Sequence, residues 1–177
     1  MLWSMAFDRV GVVVSDLYFV DPNLDQDGGA ERGVRLELRL FERDELKGSV
    51  YSAVPIRVDR PIWRVDLLEC VASPRGSLDR AHHHPVFRGW EPGMRVFVEE
   101  LSADPLSWLA KQFAAIDDVL EVAGVDAAEL GPRDMEDLRS AGPLVVAAVE
   151  RLLDEVKEGH AGLEPDSHGD FVRSSWL

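Results

Sequence analysis

Three of the five histidines stand side by side as His82, His83 and His84, followed at once by Pro85. The residue before a proline is pushed out of the helical region, so His84 is predicted to have an extended backbone. In an extended run alternate side chains point to opposite sides, which places His82 and His84 together and His83 away from them. Two neutral imidazoles on one side can share a divalent transition metal ion. The run therefore predicts a candidate metal site at His82 and His84.

A metal ion held by two histidines needs further ligands, and nearby carboxylates in the sequence belong to Asp66, Glu69 and Asp79. The chain contains no spaced metal motif such as Cys-x-x-Cys or His-Glu-x-x-His. One histidine could instead act as a general acid or base, because the reference pKa of about 6.5 suits proton transfer near neutral pH. Packing or hydrogen bonding within a loop is a third interpretation, and the sequence leaves all three open.

The segment before the histidines alternates polar and apolar residues, with Arg64 and Asp66 on one side of a predicted strand. These two side chains could form an ion pair, either as a solvated pair of little energy or within the concave face of a curled sheet. After the histidines, Arg88 and Trp90 lie in a turn-rich loop that could line the mouth of a pocket or simply seal the edge of the core. The candidate ligand-binding residues are Arg64, Asp66, Arg88 and Trp90.

An acidic turn near the N-terminus resembles half of a calcium loop. The run Asn23-x-Asp25-x-Asp27-Gly28 matches the first positions of an EF-hand loop. The twelfth position, which requires a bidentate glutamate, is Val34, and no helical pattern flanks the run. We interpret the segment as a solvated connection between strands, because Asn, Asp and Gly are the ordinary residues of turns.

The formal net charge of −14 restricts the possible partners. A chain this acidic is repelled by phosphate backbones and by anionic membrane surfaces, so non-specific nucleic-acid binding and membrane binding are not expected. A small molecule, a protein or a second copy of the chain remains as the expected partner. The one cysteine, Cys70, cannot form an internal disulfide, and the N-terminus lacks the basic segment of a signal peptide. A cytoplasmic location is therefore predicted.

Apolar residues recur with a period of two between residues 7 and 99, which predicts strands there. The clearest strand is 34–41, where Val34, Leu36, Leu38 and Leu40 share one face. Arg35, Glu37 and Arg39 share the other, which is predicted to face water. Strands are also predicted over 7–20, as one bent strand or two short ones, and over 50–58, 62–71 and 94–98. Because short turns join these strands, an antiparallel meander is expected. Pro55 lacks a backbone donor and predicts an edge or a bulge in the 50–58 strand.

The apolar period changes to that of a helix at Asp104 and Pro105, a favourable N-cap and first helical residue. This first helix should end near Gly124. A short helix over 132–139 and a longer one over 143–158 are predicted to follow.

These elements predict one α+β domain over residues 1–160, with strands in 7–99 and helices in 105–158. The sheet is expected to be a curled, half-barrel-like antiparallel sheet of about five or six strands, with the helical layer on one face. A small closed β-barrel with appended helices is the alternative. Residues 161–177 are predicted to form a polar tail, whose Phe171 and Trp176 could dock on a second subunit of a homodimer. One core cluster is expected to contain Leu36, Leu38, Trp63, Val65, Leu67, Leu109, Phe113 and Ile116.

The sequence favours a ligand- or protein-binding module whose site lies at the His82–His84 loop and the strand face of Arg64 and Asp66. The chain has no P-loop, nucleophile elbow or dinucleotide-binding glycine pattern. The alternative is a small metal-assisted hydrolase, with His82 and His84 as ligands and Asp66 or Glu69 as a ligand or base. Whether these side chains converge within ligand distance distinguishes the two interpretations.

Overall fold

The computed structural model describes residues 1–20 and 29–165. The acidic turn that resembles a calcium loop lies largely outside the described residues, as do Phe171 and Trp176 of the predicted tail. The homodimer inferred from those two aromatic residues therefore stays a prediction. Within the described residues, none of the helices is both long and apolar enough to cross a membrane.

The fold is α+β, as predicted from the sequence. Five antiparallel strands pair in chain order, and the sheet is not closed into a barrel. The strands of this sheet are β1 (Leu2–Ala6), β2 (Val10–Val20), β3 (Ala30–Arg43), β4 (Ile56–Cys70) and β5 (His82–His84). A separate short hairpin follows, made of β6 (Phe87–Arg88) and β7 (Glu91–Pro92). The strand order is that of a meander, because each strand bonds to its neighbours in sequence.

The N-terminal hairpin resolves an alternative that the sequence left open. Residues 7–20 were predicted as one bent strand or two short ones, whereas the structure has one strand, β2, paired with an additional strand, β1. The chain reverses between them, and the Phe7 amide donates to the Val10 carbonyl at 2.9 Å. The alternating valines of β2 pack Val10, Val12 and Val14 into the core.

Two strand predictions are wrong in their extent. The predicted strand over 50–58 is mostly turn and irregular chain, and Val50 and Tyr51 are exposed. Residues 56–58 instead form the start of β4, where Val58 pairs with Phe41 of β3. Strand β4 then continues to Cys70 and so includes most of the predicted 62–71 strand. A bulge was expected at Pro55, but the irregularity lies at Pro61. The register between β3 and β4 shifts there.

The predicted 94–98 strand is also wrong, because only Val96 makes a bridge to the sheet. The Val96 amide donates to the His83 carbonyl at 2.9 Å, and the Val96 carbonyl accepts from the His83 amide at 3.0 Å. Met94 and Phe97 are 84% and 62% exposed, so the apolar alternation here does not reflect burial in a sheet.

The helical layer consists of α1 (Glu99–Ala103), α2 (Pro105–Ala114), α3 (Ile116–Val122) and α4 (Asp134–Glu158), with a 3₁₀ turn at Ala127–Glu129. Asp104 caps α2 as predicted, since its side chain accepts from the Ser107 amide at 3.1 Å. The single helix expected up to Gly124 is broken at Ala115 into α2 and α3. Helix α1 was not predicted.

Helix α4 joins the two helices predicted over 132–139 and 143–158. Pro143 lies inside it and lacks the amide that would bond the carbonyl of Arg139. Both residues are on the exposed side of the helix, where water can satisfy that carbonyl. Burial of the opposite side, including Leu138 and Val145, keeps the helix continuous. Gly159 ends it with φ of 82°, a left-handed conformation that suits glycine.

The core lies between the helices and one face of the sheet. All eight residues predicted for the core are buried in one cluster: Leu36, Leu38, Trp63, Val65, Leu67, Leu109, Phe113 and Ile116. Trp63 of β4 stacks on Trp108 at 6.1 Å between ring centroids and meets Phe113 edge-on at 6.4 Å. Helix α4 approaches α2 closely at Gly142, where an added Cβ would lie 2.9 Å from the Cβ of Phe113.

Candidate functional site

The face of the sheet turned away from the helices carries a buried charged network. The alternation in β3 predicted that Arg35, Glu37 and Arg39 face water, but Glu37 and Arg39 are buried. The chain around the β6–β7 hairpin covers this part of the sheet and encloses a cavity of about 300 Å³. The cavity is lined by Phe19, Glu31, Arg35, Arg39, Pro61, Arg64, Asp66, Leu68, His82, His84, Trp90, Glu91, Pro92 and Arg95.

The register of the strands places the charged residues in rows across the sheet. One row is Arg35, Asp66 and His82, and the next is Glu37, Arg64 and His84. Opposite charges on neighbouring strands therefore face each other, which is the arrangement that stabilises cross-strand pairs.

The sequence allowed an ion pair between Arg64 and Asp66 within one strand. The structure instead pairs each of them with a residue of the neighbouring strand β3. Arg35 binds Asp66 through two nitrogens, with Nε 2.7 Å from Oδ1 and Nη2 3.3 Å from Oδ2. Arg64 binds Glu37 instead, with Nη2 2.7 Å from Oε1. The second oxygen of Glu37 accepts from Arg39 Nη1 at 2.5 Å. These pairs are buried, so the interpretation as a solvated pair is also wrong.

Two histidines point into this network from β5. His82 and His84 lie on the same face as Asp66, and His83 lies on the opposite face against Trp108, at 5.2 Å between ring centroids. This is the alternation that Pro85 and the extended backbone predicted. Both His82 and His84 are buried.

Backbone carbonyls fix the orientation of the two imidazoles. Nδ1 of His82 lies 2.7 Å from the carbonyl oxygen of Arg80, and Nδ1 of His84 lies 2.8 Å from that of Gly93. A carbonyl oxygen only accepts, so each Nδ1 carries the hydrogen and each Nε2 of a neutral ring keeps its lone pair. A hydrogen bond of this kind commonly orients a metal-binding histidine.

The free ring nitrogens converge on one carboxylate oxygen. Oδ2 of Asp66 lies 3.5 Å from Nε2 of His82 and 3.7 Å from Nε2 of His84. The ligand atoms of the three residues all lie within 4.8 Å of one another. Two imidazole nitrogens and one carboxylate oxygen around an accessible cavity form the donor set of a two-histidine, one-carboxylate metal site.

The protein environment keeps these three groups in the form that binds metal. Burial alone would raise the pKa of Asp66, but the charge and hydrogen bonds of Arg35, helped by Arg64, outweigh burial and hold that pKa below its usual value. Burial lowers the pKa of His82 and of His84 by more than the nearby Asp66 raises it. Asp66 is therefore anionic and the two imidazoles are neutral at neutral pH.

The protonation of the imidazoles can be measured directly. In the metal-free protein we expect His82 and His84 to titrate below the reference pKa of 6.5, because burial disfavours their charged forms. A pH titration followed by NMR of the ring protons checks this. Midpoints at or above those of a histidine-containing model peptide in the same buffer would contradict the direction of the shift.

The other candidate residues lie elsewhere. Glu69 points to the side of α4, where it binds Arg32 Nε at 2.8 Å and the Ser77 amide at 3.0 Å, so it does not join the histidines. Asp79 holds its own loop through the Cys70 amide at 3.1 Å. Arg88 is exposed and does not line the cavity.

Trp90 does line the cavity, as the sequence allowed. Its ring lies 5.4 Å from the guanidinium of Arg39, which stacks against it. The sequence reasoning missed Arg35, Arg39 and Arg95 as cavity residues. The alternation within β3 placed Arg35 and Arg39 on the same face of the sheet. It could not show which residues of the neighbouring strand lay beside them on that face.

Comparisons with models of protein families, with curated proteins and with solved structures found no match to this chain.

Proposed function

We propose that this protein is a ligand-binding module that holds a divalent transition metal ion through His82, His84 and Asp66. The observation that carries the proposal is the convergence of their three ligand atoms within 4.8 Å at the wall of a cavity. Oδ1 of Asp66 accepts from Arg35 Nε at 2.7 Å and both Nδ1 atoms donate to backbone carbonyls, while Oδ2 of Asp66 has a longer contact of 3.3 Å with Arg35 Nη2. The remaining lone pairs are therefore directed at one place, which reduces the ordering that an ion must impose.

The donor set favours zinc, nickel, iron or a similar ion over calcium or magnesium. Imidazole nitrogen suits the transition metals, whereas calcium and magnesium take oxygen ligands. Three protein ligands also leave coordination positions open, and here the open side is the cavity. A ligand in the cavity would thus contact the ion directly.

Metal-assisted hydrolysis is the second candidate, and the same open side favours it. A metal ion with free positions can hold both a water molecule and a substrate oxygen. Arg35 donates to both oxygens of Asp66, to Oδ1 at 2.7 Å and to Oδ2 at 3.3 Å, so this carboxylate serves as an ion-paired ligand rather than as a free base in this arrangement.

Metal titration of the untagged protein tests the proposal. We expect one zinc or nickel ion per chain at neutral pH, measured by equilibrium dialysis with elemental analysis, because the site offers three ligand atoms in one place. A chelator should remove the ion reversibly. Protein that binds no ion in stoichiometric amount refutes the metal site. Turnover of simple esters by the zinc-loaded protein, absent from the apoprotein, would favour hydrolysis over binding alone.

A further inference from the structure

The charges around the cavity balance before any metal ion binds. Four guanidinium groups line the cavity, those of Arg35, Arg39, Arg64 and Arg95, together with the carboxylates of Glu31, Asp66 and Glu91. A fourth carboxylate, that of Glu37, is not in the lining but pairs with Arg39 and Arg64. A divalent ion bound to two neutral imidazoles and Asp66 adds two positive charges to this balanced set. Charge inside a partly enclosed cavity is poorly screened by water, so a ligand that carries negative charge is favoured.

The four arginines differ in how many of their N–H groups already bond a carboxylate. Arg35 is occupied by both oxygens of Asp66, and Arg39 and Arg64 share Glu37. Among the described residues, the polar contact of Arg95 is with Glu31 Oε1 at 3.9 Å, which is too long for a hydrogen bond, and the Arg95 side chain is 41% exposed. Arg95 therefore has N–H groups available to a ligand in the cavity that it lines.

Arg95 and the metal site face the same space. Arg95 lines the same cavity as His82, His84 and Asp66. A planar carboxylate with two oxygens can bind a metal ion with one of them and a guanidinium with the other.

The remaining residues of the cavity wall are apolar, which favours a ligand with an apolar part over an inorganic anion. Phe19, Pro61, Leu68, Trp90 and Pro92 line the cavity beside the charged groups. Its volume of about 300 Å³ lies at the small end of the range for ligand pockets. A compact molecule with a short apolar body fills such a space, whereas inorganic phosphate leaves the apolar wall uncovered.

We propose that the cavity binds a small organic carboxylate, whose carboxylate group bridges the metal ion and the guanidinium of Arg95 while its apolar part packs against Trp90 and Leu68. The inference rests on the metal site proposed above. It names the chemical class of the ligand, which the metal site alone does not.

Calorimetric titration of the zinc-loaded protein with benzoate, butyrate and inorganic phosphate tests this inference. We expect benzoate or butyrate to bind more tightly than phosphate, and at least about tenfold more weakly to the metal-free protein, since loss of a charge-assisted contact costs an order of magnitude in affinity. Arg95→Gln should weaken carboxylate binding by about the same factor, and Arg95→Lys by less. Arg57→Gln is the matched control, because Arg57 is exposed and lies outside the cavity lining.

The outcomes separate the two proposals. Zinc binding without any carboxylate binding overturns the ligand class and leaves the metal site intact, as does tighter binding of phosphate than of either carboxylate. Carboxylate binding that is equal in the Arg95→Gln and Arg57→Gln proteins overturns the role of Arg95. Failure to bind zinc overturns the metal site itself, and the bridging arrangement with it.

Discussion

Alanine at His82 or at His84 is expected to abolish stoichiometric zinc binding. Each substitution removes one of the three ligand atoms that lie within 4.8 Å of one another, and a site with two ligands holds a divalent ion weakly. Phenylalanine at His83 should leave binding intact, because that ring lies on the opposite face against Trp108. The measurement is zinc stoichiometry and affinity in competition with a chromogenic chelator.

The middle histidine serves as the control for this experiment. All three substitutions alter β5, so a general disturbance of that strand would affect all three proteins alike. Circular dichroism and the denaturation midpoint show whether each variant is folded. Equal loss of zinc in all three folded variants would mean that the alternation of side chains in β5 does not determine binding. Full retention in the His82 and His84 variants would exclude them as ligands.

Alanine at Phe113 is expected to lower the free energy of unfolding by about 3–5 kcal/mol, the usual cost of removing a fully buried aromatic side chain. Phe113 lies between the sheet and α4, edge-on to Trp63 and with its Cβ directly against Gly142. The backbones are held close there, so the space left by the ring cannot easily be refilled. Denaturant unfolding measures the change.

Lys111→Ala is the matched control for Phe113→Ala. It lies on the same helix, α2, but is exposed, and its contact with Glu100 is 4.0 Å long between exposed groups. We expect its midpoint to stay close to that of the unsubstituted protein. A loss of under about 1 kcal/mol for Phe113→Ala would show that Phe113 is not buried between sheet and helix.

The parts of the fold that follow from local pattern were predictable. Alternating valines and leucines marked the centres of β2 and β3, and Asp104 with Pro105 marked the start of α2. Where the outcome depends on contacts distant in sequence, the pattern failed. The apolar residues over 50–55 alternate as a strand would, but none of the strands in the described part of the chain pairs with them, and Val50 and Val54 stay exposed. Pro143 signalled a break, but burial of the other side of α4 kept the helix intact.

In the candidate site, too, the features set by local sequence were predictable, and those set by contacts distant in sequence were not. The shared side of His82 and His84 follows from a local rule, and Asp66 was one of the carboxylates considered. Glu69 could have been separated from Asp66 by the same rule, because residues three apart on a strand point to opposite faces. The partners of Arg64 and Asp66 could not be predicted, since they depend on the register between β3 and β4. Arg95 joins the cavity only through the fold of the chain after β7.

The shared carboxylate of Glu37 has a consequence for how this chain can change over evolutionary time. Arg39 and Arg64 both pair with Glu37, so replacing Glu37 alone leaves two buried guanidinium groups without the carboxylate that they share, which is strongly destabilising, whereas loss of either arginine leaves Glu37 paired with the other. Replacing all three together with apolar residues of similar volume avoids that penalty. Sequences that descend from a common ancestor with this chain should therefore co-vary at positions 37, 39 and 64, whereas Arg35 should be retained wherever Asp66 is, because it pairs with both oxygens of that carboxylate.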